Sequence, residues 1–206
     1  MATPQLGRPV GANGEETRRR IIAATMHCVS EVGYARATIR EIARTAGITS
    51  ANLYNYFSNK SQLMEAAIAA RADIALPRLR GAAQGPGDAV DRIDAVLDES
   101  GRLMREYPEL AAFEWAIRGQ SAVAVYPDGT DGGGFQALRG IVKGIVDDAC
   151  RNRPGEVQRE AAAAIEAIYA LVYGLTELAA TQSPQTYQRA LNSAKQMIRG
   201  TLFVHR

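Results

Sequence analysis

The 206-residue chain is poor in the residues from which most metal, redox and hydrolytic sites are made. Its two cysteines, Cys28 and Cys150, are too few for a disulfide framework and lack the paired spacing of a zinc site. Free thiols in a reducing, cytoplasmic setting are therefore the expectation. His27 and His205 are the only histidines. His27 and Cys28 are neighbours and point in different directions around a helix, so no metal site and no cofactor is expected. There is no nucleophile elbow, Walker loop or dinucleotide fingerprint. The glycine-rich run over 129–134 lacks both a preceding strand and the lysine of a phosphate loop, so catalysis is not expected. Long apolar runs are missing too. Uncharged stretches such as Ala167 to Thr176 are about half of the roughly 20 residues that cross a bilayer, and no membrane span is expected. The opening residues 1–14 lack the apolar core of a signal peptide and read as a flexible arm.

What is present suits an ordinary folded protein, with 47% hydrophobic and 22% charged residues. The net charge of +2 is unevenly spread. Residues 1–60 carry eight Lys/Arg against four Asp/Glu, and residues 61–206 carry sixteen against eighteen. A basic head on a near-neutral body fits a polyanion partner, because phosphate contacts dominate non-specific nucleic-acid affinity. A solvated charged face gives the same count.

The periodicity is helical and strand signals are nearly absent, so the expected fold class is all-α. Ile21, Thr25, Cys28 and Val32 form one stripe of a first helix that Gly33 ends. Thr38-Ile39-Arg40-Glu41 is a capping box that opens a short second helix, which stops at Gly47. Thr49 caps a third, on which Leu53 and Phe57 share a buried face opposite Ser50, Asn52 and Asn55. A fourth helix runs from about Asn59 toward Pro77, where proline is expected to stop it. Further helices are expected near 87–106, 109–118, 134–151, 156–181 and 184–203. The domain boundaries are placed at 15–62 for the head and 63–206 for the helical body.

Two short helices joined by a glycine-containing turn, with small polar side chains on the outer face of the second, match the helix-turn-helix pattern. An ordinary helical hairpin has the same periodicity. The segment TIREIARTAGITSANLYNYFSNKSQLMEAA is more specific, and it resembles the DNA-binding domain of TetR-family transcriptional regulators. Thr38, Ile42, Ala43, Ala46, Gly47 and Ile48 match that family's pattern, as do Leu53, Tyr54, Tyr56, Phe57, Lys60 and Leu63. The resemblance covers about residues 15–70. It implies phosphate contacts from Thr38 and Lys60 and a base contact from Arg40. Thr49, Ser50, Ala51, Asn52 and Asn55 would face the major groove, with Tyr54 and Tyr56 clamping the DNA backbone. Arg18, Arg19 and Arg20 either touch flanking phosphates or serve as exposed solubilising charge.

The same resemblance implies an operator-binding homodimer and a body that receives a small molecule. Ala164, Ile168, Leu171, Val172 and Leu175 stripe the penultimate helix, and Leu191, Ala194, Ile198 and Leu202 the last. Paired with the same helices of a second copy, they would make a four-helix interface; intrachain core is the competing use. Candidate ligand contacts are Phe113, Trp115, Tyr126, Phe135, Tyr169 and Tyr173, with Leu103, Met104 and Tyr107 as a further wall. The expected function is a repressor released by a largely hydrophobic ligand. The alternative is a helical interaction or ligand-binding module without DNA reading.

Overall fold

A computed structural model describes residues 10–121, 134–151 and 155–200. Among the described residues the chain is all helical: α1 (Val10–Arg36), α2 (Ile39–Thr45), α3 (Ser50–Tyr54), α4 (Lys60–Ala83), α5 (Ala89–Glu106), α6 (Pro108–Ser121), α7 (Gly134–Cys150), α8 (Gly155–Thr181) and α9 (Pro184–Ile198).

The head follows its local signals. In α1, Ile21, Ile22, Cys28 and Val29 face inward, and Thr25 joins them because its hydroxyl donates to the Ile21 carbonyl at 2.8 Å. Gly33 takes φ 78°, which breaks the helix where the sequence places its end, and one further turn reaches Arg36. Thr38 accepts from the Glu41 amide while the Glu41 side chain reaches back to the cap, so the capping box is formed. Gly47, at φ 69°, turns the chain between α2 and α3. Thr49 then caps α3.

The structure departs from the sequence expectation at both ends of α4. The helix passes through Pro77 and continues to Ala83. Pro77 is exposed, while Ala75, Leu79 and Ala83 pack into the body core, and their burial offsets the roughly 3 kcal/mol that an interior proline costs. At the other end, the boundary at 62/63 falls inside α4. Leu63, Met64, Ala67 and Ile68 belong to the same apolar cluster as Leu53 and Phe57 of the head. Phe113 and Ile117 of α6 complete that cluster, so one helix of the body plugs the floor of the head.

The body core is built from α4, α5, α7, α8 and α9, around Leu97, Leu103, Ile145, Val172 and Leu191. At Gly101 the α5 and α9 helices approach so closely that a Cβ would lie 2.8 Å from Leu191 Cδ2. Ion pairs fasten the outer edge of this contact: Lys195 to Asp98 at 2.7 Å and Arg199 to Asp94 at 2.6 Å. In α8, the segment Glu160–Thr181 has a mean hydropathy of 1.4 over an 18-residue window, of which 22% is buried. By length and composition it is long and apolar enough to cross a membrane, contrary to the expectation from uncharged runs alone.

Candidate nucleic-acid interface and ligand cavity

The α3 helix has two unlike faces. Leu53 is fully buried and Phe57, just beyond the helix, is nearly so. On the other side Thr49, Ala51, Asn52, Tyr54 and Asn55 are exposed and Ser50 is half-buried. Thr49 accepts from the Asn52 amide at 3.1 Å, which leaves its hydroxyl proton to donate outward. Tyr54 is 53% exposed, whereas Tyr56 is half-buried against the head core. A short helix carrying small amides and hydroxyls above an apolar underside is the arrangement that lets a backbone approach base edges closely.

Around it several polar and cationic side chains are tied down individually. Arg40 is exposed on α2. Thr38 is exposed, but its hydroxyl donates to Glu41 Oε2 at 2.8 Å. That hydrogen bond is the leading reason the Glu41 carboxyl lies below the usual carboxylate range. The Lys60 ammonium donates to the Tyr34 carbonyl and stands 4.2 Å from the Tyr34 ring centroid. Partial burial lowers its pKa, and these contacts join α4 to the end of α1. The arginine triplet divides its work. Arg18 covers the Phe57 ring at 5.2 Å, Arg19 pairs with Glu15 and Glu16, and Arg20 donates to the Ala46 carbonyl at 2.7 Å. That last bond pins the turn between α2 and α3 to α1. Sequence reasoning missed it, because one arginine in a basic run carries no sign of its partner.

The candidate dimer residues separate by burial. Val172, Leu175, Leu191 and Ala194 are buried in their own chain, where they fill the body core, so they are not interface surface. Ile168, Leu171 and Ile198 are half-buried at the edge of the same cluster and Ala164 is exposed. Leu202 lies outside the described residues. The exposed side of α8 instead carries Ala162, Ala163, Ala164, Ala167 and Ala170, with Glu160 and Glu166 among them. Helical spacing found the stripes but not which of them faces inward.

The candidate ligand residues separate similarly. Leu103 and Met104 line a cavity of about 30 Å³ in the body, with Arg71, Leu79, Ser100, Leu110, Glu114 and Thr176. Tyr107 lies elsewhere, on a surface groove of about 470 Å³ between α1, α4 and the turn into α6, whose floor includes Met26 and Ile74. His27 Nδ1 meets Glu109 Oε1 at 2.8 Å beside it. Phe113 is fully buried in the head core, so it is not cavity lining. Trp115 and Tyr173 meet edge to face at 6.0 Å and Tyr169 is half-buried; none of the three reaches the cavity wall. Tyr126 and the side chain of Phe135 lie outside the described residues.

Arg71 and Glu114 were not expected in the cavity. Their pair, Arg71 Nη1 to Glu114 Oε1 at 2.5 Å, is almost wholly buried and joins α4 to α6. Helical carboxylates are usually exposed, so nothing in the sequence marked Glu114 as the exception. Among the described residues no cluster of three or more His, Cys, Asp or Glu side chains could hold a metal.

The fold and the α2–turn–α3 unit define a helix-turn-helix protein with a helical body. Residues 21–67 match the family model described as bacterial regulatory proteins, tetR family. The chain is 38% identical over 85 residues to the HTH-type transcriptional regulator BetI of Escherichia coli O17:K52:H18, covering 39% of this chain and 43% of that protein. It is also 38% identical over 66 residues to the HTH-type transcriptional regulator SrpR of Pseudomonas putida, covering 32% of this chain and 31% of that one. The chain thus spans less than half the length of the curated relatives it matches. Over nearly the whole chain the fold matches that of a transcriptional regulator FadR from Bacillus subtilis, solved in complex with stearoyl-CoA, at TM-score 0.70 and 17% identity, covering 91% of this chain and 99% of that one. A TetR family transcription regulator from Marinobacter aquaeolei VT8 matches at TM-score 0.64 and 18% identity, with coverages of 91% and 97%. Residues 21–67 thus carry the segment described by the tetR family model, and the chain as a whole shares the fold of these regulators.

Proposed function

We propose that this protein is a transcriptional repressor that binds a palindromic operator as a homodimer and leaves it when a small, largely hydrophobic ligand enters the body. The observation that carries DNA reading is the polar outer face of α3 held on the buried Leu53 and Phe57. Thr49, Ser50, Ala51, Asn52 and Asn55 would meet base edges, Tyr54 and Arg40 the flanking backbone or a guanine, and Thr38 a phosphate once its hydroxyl turns from Glu41.

Dimerisation is supported by the exposed alanines of α8, which lie in a segment that is apolar in composition yet largely uncovered in the single chain. Small side chains let two helices pack at the short end of the 8–10 Å range. A two-fold pair would present its α3 helices to successive major grooves, about 34–36 Å apart. Ligand control is supported by the cavity at α4 and α6, the two helices that also supply Leu63, Met64, Phe113 and Ile117 to the head core. The FadR relative in fold carries stearoyl-CoA, which is consistent with such a receptor. A ligand that prefers one head spacing 100-fold would shift the equilibrium by about 2.7 kcal/mol.

Fluorescence anisotropy on DNA from upstream of its own gene tests the proposal. A salt-sensitive complex is expected, tighter by at least about 10³ than that on random DNA. Equal affinity for both would reject it.

A further inference from the structure

The surface groove of about 470 Å³ is walled by α1, α4 and the turn from α5 into α6, and it has the size usual for small-molecule sites without any rearrangement. Its floor is apolar, with Met26 from α1, Ile74 from α4 and Leu110 from α6. Met26 and Ile74 are half-buried, so part of each is open to a guest, and the unbranched methionine adapts to its shape. Head and body each supply a wall, so a molecule seated here touches both.

The charged side chains on the wall are Glu106 and Glu109, and no lysine or arginine lines the groove. The two carboxylates are not equivalent. Glu106 receives two arms of the Arg78 guanidinium, Nη2 reaching Oε1 at 3.0 Å, and those hydrogen bonds hold its carboxyl below the usual range. Glu109 has a weaker partner. Its Oε1 meets the His27 imidazole, which balances the charge of a carboxylate only when protonated, and this contact leaves Oε2 to an incoming cation. On the same wall Tyr107 is 41% exposed. An exposed aromatic ring attracts a cation through its quadrupole, a carboxylate adds Coulomb attraction, and an apolar floor takes up a hydrocarbon tail. An anion would meet repulsion here, and a neutral amphiphile would gain from the floor alone.

We propose that this groove is a binding site for small organic cations with an apolar tail, such as quaternary or protonated amines. Glu109 and Tyr107 receive the charge, and Met26, Ile74 and Leu110 the tail. The groove shares only Leu110 with the enclosed cavity lined by Arg71 and Glu114, so this site is additional to the ligand site proposed in the body.

Isothermal calorimetry on the full-length protein tests it at pH 8, above the ordinary range of imidazoles, with octyltrimethylammonium, 1-octanol and octanoate, three guests that carry the same kind of tail. The cation is expected to bind at least about fivefold more tightly than the alcohol, the combined worth of one exposed cation–π contact and one exposed ion pair, and octanoate is expected to bind most weakly. Glu109→Gln should weaken the cation by about threefold and leave the alcohol unchanged. Ala23→Trp, at an exposed position of α1 on the groove wall, should fill the groove and abolish binding of both while circular dichroism shows unchanged helicity. Equal or tighter binding of 1-octanol or octanoate, or no binding of the cation, overturns the proposal. So does a cation affinity that survives Ala23→Trp or is untouched by Glu109→Gln. The titrations contain no DNA, so a failure here leaves the operator reading standing.

Discussion

Arg20 of α1 donates to the main-chain carbonyl of Ala46, the residue that closes α2, at 2.7 Å. The guanidinium satisfies a carbonyl at a helix C-terminus, where positive charge is favoured, and fixes the entry to the recognition helix. Arg20→Ala should lower head stability by about 1 kcal/mol and weaken specific and random DNA alike, because it loosens the platform rather than a base contact. Chemical denaturation followed by anisotropy measures both. A loss confined to the specific site would mean that Arg20 reads DNA.

Lys60 gives the opposite kind of test. Its ammonium is held at Tyr34, so Lys60→Ala is expected to lower the melting temperature while the salt dependence of DNA binding keeps its slope. A slope smaller by about one, measured over a salt titration, would instead assign Lys60 to a phosphate.

Tyr187 links α9 to the body core, and burial raises its phenol pKa to about 12. A folded-state pKa above the unfolded value of about 10 gives stability that is complete below pH 10 and lost as the pH rises toward 12. Tyr187→Phe should flatten the fall in stability over that interval, measured by urea denaturation between pH 9 and 12, and an unchanged curve would show that its burial has no part in the alkaline transition.

The α8 face makes a prediction about assembly. Ala167→Arg places a charge on the exposed alanine surface and should convert the dimer to monomer in sedimentation analysis, with little change in helicity. A wild type that is monomeric at micromolar concentration would contradict the assignment of that face.

Whether a feature is readable from the sequence depends on the range of the interaction that makes it. The capping box at Thr38 and Glu41, the Thr49 cap, the turn at Gly47 and the two faces of α3 are each set within a few neighbouring residues, and the sequence displays each of them. Leu191 and Val172 could be placed on a helical stripe, but not assigned to core or interface, because that choice depends on which other helices pack there. Phe113 illustrates the same limit. It sits in the body by sequence and in the head by packing. Pro77 misled because its local cost is outweighed by the burial of its neighbours in α4. The Arg71–Glu114 contact joins residues 43 positions apart, and composition says nothing about such a meeting.

If the exposed side chains of α3 distinguish one duplex from another, removing them must erase that distinction. The most direct test compares wild type with the triple variant Ser50→Ala, Asn52→Ala, Asn55→Ala in anisotropy titrations on upstream DNA and on random DNA at one salt concentration. The specific affinity is expected to fall by at least about tenfold while random binding stays level, since lost base contacts typically cost about 1–3 kcal/mol each. An undiminished ratio of the two affinities would contradict the account.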